Sequence, residues 1–121
     1  MPPLMRWFAI AALAVGLAAC GGSGSSGGQA ASSEACPSGA VTIHMKDVHF
    51  SPKTAAAKAG QTVCWVNDDS VDHDAVADSG ASFKSLLFGK GKTFTTKLDK
   101  PGTVKYECTI HPGMTGEIKV S

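Results

Sequence analysis

The sequence has little charge imbalance, few aromatic side chains and no long apolar run. Its 11 lysine and arginine residues face 10 acidic residues, which gives a formal net charge of +1. Without a dominant basic face, nothing predicts binding to nucleic acid. The longest apolar run, from Phe8 to Ala19, has 12 residues, whereas a membrane-spanning helix needs about 20. The run is therefore typical of the apolar core of a signal peptide.

The end of this run, Leu17-Ala18-Ala19-Cys20, resembles a bacterial lipobox. We therefore expect residues 1–19 to be a lipoprotein signal peptide, and the thiol of Cys20 to carry the lipid. The alternative is ordinary signal cleavage that leaves Cys20 as a free thiol, but it would place Leu17 where a small residue is preferred. The lipid anchor predicts a location in the periplasm or on the outer face of a bacterial cell envelope, attached to the membrane at Cys20.

The segment after Cys20 is rich in glycine and serine and has almost nothing apolar to bury. Such a composition is typical of a flexible linker. We expect residues 20–35 to form the lipidated cysteine and a flexible tether, followed by one folded domain over residues 36–121.

The rest of the chain has the alternation and turn signals of short β-strands. Val41, Ile43 and Met45 alternate with polar residues, but Val48 and Phe50 continue on the opposite parity, which predicts a bulge near Asp47. Because helical signals are weak, the expected fold is an all-β sandwich of about seven or eight strands.

A thiol, an imidazole and a thioether follow one another at Cys108, His111 and Met114, and His73 lies upstream. One Cys, two His and one Met are the ligands of a trigonal copper site with a weak axial Met. Sulfur suits Cu(I), and imidazole suits Cu(II). Structural zinc is bound by Cys and His without Met. The plainer alternative is that Cys108 and Met114 simply fill the core.

These residues make the chain resemble the small blue copper proteins of the plastocyanin/azurin (cupredoxin) family. The loop of residues 108–114 is most similar to that of the amicyanins, and the resemblance covers residues 40–121. The other matching pieces are residues 50–52, 59–67, 73, 102–108 and 114–120.

The resemblance implies a Greek-key β-sandwich and one copper ion that cycles between Cu(I) and Cu(II). It implies that the ligands are His73, Cys108, His111 and Met114, with Asn67 buried behind the ligand loops. Asp74 stands where the family often has Asn. This change leaves open whether a side chain at residue 74 ties the two ligand loops together. Asp68, Asp69, Asp72, Asp74 and Asp78 are interpreted as a solvated acidic face around the first ligand.

The cysteines can also be sorted by role. If Cys20 carries lipid and Cys108 binds metal, Cys36 and Cys64 remain, and export from the cytoplasm permits a disulfide between them. The bridge would stabilise the domain by about 3–4 kcal/mol in the chain-entropy model. Two free thiols are the alternative.

The sequence therefore predicts a lipid-anchored electron-transfer protein that is not itself an enzyme. It would be a monomer, and redox proteins such as a cytochrome, a dehydrogenase or an oxidase would dock near His111. One alternative is a periplasmic copper carrier or buffer without redox shuttling. Another is a structural module in which the Cys, His and Met residues are incidental.

Overall fold

The computed structural model of this chain describes residues 28–121. The predicted signal peptide and the lipidation site at Cys20 lie outside the described residues. Within the described part, no helix is long and apolar enough to cross a membrane.

Within residues 28–121, eight strands form two sheets of four strands each. They are β1 (Val41–Lys46), β2 (His49–Ser51), β3 (Thr54–Ala57), β4 (Gln61–Asn67), β5 (Val76–Ser79), β6 (Thr93–Leu98), β7 (Gly102–Glu107) and β8 (Thr115–Val120). The strand orders are β2-β1-β4-β6 and β3-β8-β7-β5. β1 pairs with β4, and β3 with β8, in parallel; the other pairs are antiparallel. The prediction of an all-β sandwich with seven or eight strands is confirmed.

The core lies between the two sheets because each strand turns alternate apolar side chains inward. On β7, Val104 and Tyr106 are buried, and the same parity continues to the buried Cys108 beyond the strand end. Trp65 on β4 is fully buried and contacts Tyr106 edge to face, with ring centroids 5.3 Å apart. This core fixes the end of β7, and with it the position of Cys108.

The predicted bulge near Asp47 is wrong. β1 and β2 form a regular hairpin in which Lys46 pairs with His49, and Asp47 and Val48 are the two turn residues. Both have positive φ, 53° and 59°, as in the type I′ turns that match strand twist. The parity changes because the chain reverses, not because a residue is inserted.

Residues 28–35, the part of the expected tether that the structure describes, lie on the sandwich. The backbone N–H of Gln29 donates to Lys84 O (2.8 Å), and Gln29 O accepts from the N–H of Leu86 (2.7 Å). Ser32 and Thr93 exchange two backbone hydrogen bonds. Composition did not indicate this pairing because backbone hydrogen bonds need no apolar side chain.

Cys36 and Cys64 are joined by a disulfide in the structure. Val63, Cys64 and Trp65 on β4 are all buried. Because neighbouring side chains of a strand point to opposite faces, Cys64 faces away from the core that holds Trp65. The bridge therefore ties the segment before β1 to the outer face of the first sheet.

Candidate metal centre

Three of the predicted ligands converge at one end of the sandwich. Nδ1 of His73 lies 3.1 Å from Nδ1 of His111. Sγ of Cys108 lies 3.7 Å from the former nitrogen and 3.4 Å from the latter. His73 and Cys108 are buried and His111 is partly exposed.

The loop that carries Cys108 and His111 is closed by its own backbone. The N–H of Cys108 donates to Met114 O (2.9 Å), and the N–H of Met114 donates to His111 O (3.1 Å). Gly113 has a φ of 85°, which glycine adopts without the steric cost of a side chain. Met114 is buried in the same core cluster as Cys108, so the structure places the fourth predicted ligand at the base of this loop.

His73 reaches the site from the long connection between β4 and β5. Its backbone is fixed by Phe88: the N–H of His73 donates to Phe88 O (3.1 Å), and His73 O accepts from the N–H of Phe88 (2.9 Å). The two histidines therefore come from separate loops that meet only in the folded chain.

Asn67 lies behind this connection and is fully buried. Its side-chain amide donates to Val71 O (2.9 Å) and to Phe88 O (2.8 Å), and its Oδ1 accepts from the N–H of Asp69 (2.8 Å). The side chain thus braces the loop that carries His73 from both sides.

Asp74 ties the two ligand loops together, which the sequence left open. Its Oδ1 accepts from the N–H of Thr109 (2.6 Å), and its Oδ2 accepts from the Thr109 hydroxyl. A carboxylate can accept both bonds, so the aspartate at this position links residues next to His73 and Cys108.

Asp69 is a residue whose role the sequence analysis missed. It was assigned to the solvated acidic face, but its Oδ2 lies 2.8 Å from Nε2 of the fully buried His73. Burial alone would raise the pKa of Asp69, but hydrogen bonds from Val48, His73 and Asp47 outweigh burial and lower that pKa. An ionised carboxylate only accepts, so Nε2 of His73 is the donor in this hydrogen bond.

Burial raises the pKa of the Cys108 thiol, while the backbone N–H groups of Asp74 and Ile110 act in the opposite direction. A metal ion takes the thiolate form of cysteine, so binding would release this proton. The site therefore favours the neutral thiol until a metal ion replaces the thiol proton.

The donor atoms fit a single metal ion. Protein sites have metal–nitrogen bonds near 2.0 Å and metal–sulfur bonds near 2.3 Å, so two donors of one ion are at most about 4 Å apart. The three separations of 3.1, 3.4 and 3.7 Å are within this limit. Two imidazole nitrogens and a thiolate suit copper better than magnesium or calcium, which take oxygen ligands.

The fold and the site define a β-sandwich metalloprotein with a mixed nitrogen and sulfur donor set. The sequence profile described as "Copper binding proteins, plastocyanin/azurin family" matches residues 37–121. The chain belongs to this family, as its motifs predicted, and its cofactor is copper.

Similar proteins agree with this assignment. The chain is 30% identical over 88 residues to amicyanin-alpha of Methylorubrum extorquens, covering 69% of this chain and 74% of the relative. It is 37% identical over 83 residues to plastocyanin of Scenedesmus fuscus, covering 59% and 85%. A solved Cu(I) form of an amicyanin mutant shares the fold with a TM-score of 0.71, at 23% identity, over 77% of this chain and 93% of that one.

Proposed function

We propose that this chain is an electron-transfer protein that holds one copper ion through His73, Cys108, His111 and Met114. The observation that carries the proposal is the convergence of three donor atoms, within 4.8 Å of one another, from two separate loops. When bound, copper supplies a Cu(I)/Cu(II) couple that changes by one electron.

The protein's part is to hold the donors still. The loops are linked by Asp74 and Thr109, Asn67 braces the loop of His73, and Cys108 is bonded to Met114 through the backbone. Donors that are packed and hydrogen-bonded in this way change position little when charge changes. This rigidity favours electron transfer over a reaction that needs a ligand to leave.

A partner would approach at His111, whose ring is the partly exposed side of the site. Four large apolar side chains are exposed next to the site-forming segments: Val71 (44%), Leu86 (48%), Leu87 (50%) and Ile110 (47%). We expect these four side chains to form one apolar patch, which is typical of a protein interaction surface. We infer that redox proteins dock there, that the chain is a monomer between encounters, and that it is not itself an enzyme.

We also infer that the domain is anchored by a lipid at Cys20, outside the cytoplasmic membrane. Seven residues lie between Cys20 and Gly28, and the eight steps from one Cα to the next can span at most about 28 Å. A Cβ at Gly28 would lie 2.8 Å from the backbone of Ser85, so the chain joins the domain beside Leu86. The anchor would then hold the domain close to the membrane surface.

The spectrum of the copper form and its rate of electron self-exchange test this function. The Cu(II) form is expected to be intensely blue because of charge transfer from the thiolate to copper. Electron self-exchange between the Cu(I) and Cu(II) forms is expected to be fast. A colourless copper form would refute the proposed donor set. A blue form that quickly yields copper to a weak chelator, without measurable electron self-exchange, would instead support a copper carrier.

The lipid anchor is tested separately. Cys20→Ala should release the domain from membranes or leave an uncleaved precursor, whereas membrane attachment unchanged by this substitution would contradict the anchor.

A further inference from the structure

The hairpin turn between β1 and β2 has an unfavourable backbone for its sequence. Asp47 and Val48 both have positive φ, 53° and 59°. Turns of this type strongly prefer Asn-Gly or Asp-Gly. A β-branched residue in the left-handed region is an outlier, and such residues persist only where the surroundings hold them.

The turn is held by a single carboxylate. The N–H of Asp47 donates to Oδ1 of Asp69 (2.7 Å), and the N–H of Val48 donates to Oδ2 of the same residue (3.0 Å). Asp69 is 22 residues from Asp47 and 21 from Val48 along the chain. One side chain therefore satisfies both backbone donors of the turn.

The same carboxylate reaches the site. Oδ2 of Asp69 also accepts from Nε2 of His73 at 2.8 Å, and the Asp69 side chain is only 13% exposed. In a neutral ring, the proton on Nε2 leaves the Nδ1 lone pair facing Sγ of Cys108 and Nδ1 of His111. A metal-binding histidine usually donates its other ring N–H to such a partner.

We propose that the Asp47-Val48 turn positions the metal ligand His73 through Asp69. The two turn amides fix the carboxylate, and the carboxylate fixes the orientation and tautomer of the imidazole. Asp69 is a positioning residue in this arrangement, and the turn acts on the site without contacting any donor atom. The proposal rests on the proposed role of His73 as a ligand.

The link between Asp69 and His73 is tested by the tautomer of His73 in the metal-free protein, measured from the chemical shifts of the ring nitrogens. The protein as it stands should hold the proton on Nε2, and Asp69→Ala should give a mixture of tautomers. Copper affinity should fall by about 10- to 100-fold, as for lost partners of other metal-binding histidines. Asp68→Ala is the matched control, because Asp68 is the neighbouring acid and contacts His44 rather than a predicted ligand.

The link between the turn and Asp69 is tested by making the turn more flexible. Insertion of two glycines between Asp47 and Val48 should shift the His73 tautomer in the same direction as Asp69→Ala. The same insertion between Lys100 and Pro101, in the connection between β6 and β7, should leave the tautomer unchanged. Thermal unfolding gives a second measurement that does not depend on this insertion: Asp69→Ala should lower Tm less in a Val48→Gly background, because glycine tolerates positive φ.

Either link can fail separately. The positioning role of Asp69 is wrong if His73 keeps its Nε2 proton in Asp69→Ala and this variant binds copper within about twofold of the affinity of Asp68→Ala. A twofold difference is well below the expected loss of affinity. If both insertions act alike, or if Val48→Gly leaves the effect of Asp69→Ala on Tm unchanged, the role of the turn is wrong. The tautomer is measured without copper, so a failure of the proposed ligand set would be seen separately as an absence of copper binding.

Discussion

The two histidines of the site differ in nearly every respect except the distance of their Nδ1 atoms from Cys108. His73 is fully buried, comes from a long connection and bonds to Asp69 through Nε2. His111 is partly exposed and lies in a tight loop between Ile110 and Pro112. We propose a division of roles: the buried side sets the geometry of the site, and a redox partner docks at the exposed side.

The largest expected effect concerns the residue that both sides share. Cys108→Ser should abolish the blue absorption of the copper form completely, because a hydroxyl cannot supply the thiolate. The matched control is the double variant Cys36→Ser, Cys64→Ser, which should stay blue but lose about 3–4 kcal/mol of stability. Blue colour that persists without Cys108 would mean that Cys108 is not the thiolate donor of the copper centre.

Removing each histidine should separate the two sides. His73→Gly and His111→Gly should both lose the native spectrum, but added imidazole should restore it only in His111→Gly. The cavity left at residue 111 opens to solvent, whereas the cavity left at residue 73 is enclosed. Titration of both variants with imidazole measures how much of the native spectrum returns. Equal recovery in both variants would contradict the proposed difference between the two histidines.

The exposed side can be altered without touching a donor. Ile110→Asp places a charge in the apolar patch and should slow electron self-exchange by about tenfold, since 1.4 kcal/mol of lost contact corresponds to that factor. The absorption spectrum should not change. Ser82→Asp adds the same charge beside Gly80, which packs on Thr103 at the far end of β7, and is the control. Equal slowing in both variants would point to net charge rather than to docking at residue 110.

The smallest effect is expected from raising the pH, which acts on a buried tyrosine of the core beneath the site. Tyr106 is the only tyrosine of the chain and is fully buried, and burial raises its pKa above the usual 10.0. The unfolded state therefore loses this proton first, so stability is unaffected below pH 10 and falls as the pH rises above it. Tyrosinate absorption should appear only together with unfolding. Ionisation near pH 10 in a protein that stays folded would contradict the burial of Tyr106.

The parts of the molecule that were predictable from sequence are those that depend on local pattern. Alternation placed Val104, Tyr106 and Cys108 on one inward face, and the chemistry of Cys108, His111 and Met114 indicated copper. The role of Asp69 was not predictable in this way, because its partners at Asp47 and Val48 are joined to it only by folding. The same holds for Gln29, whose backbone pairing with residues 84 and 86 leaves no mark on composition.

The most direct test of the account is the position of copper in crystals of the loaded protein, located by anomalous scattering at the copper edge. One peak is expected, bonded to Nδ1 of His73, Sγ of Cys108 and Nδ1 of His111, with Sδ of Met114 as a longer neighbour. A peak elsewhere, for example at the exposed His44 and His49, with none between these donors, would contradict the account.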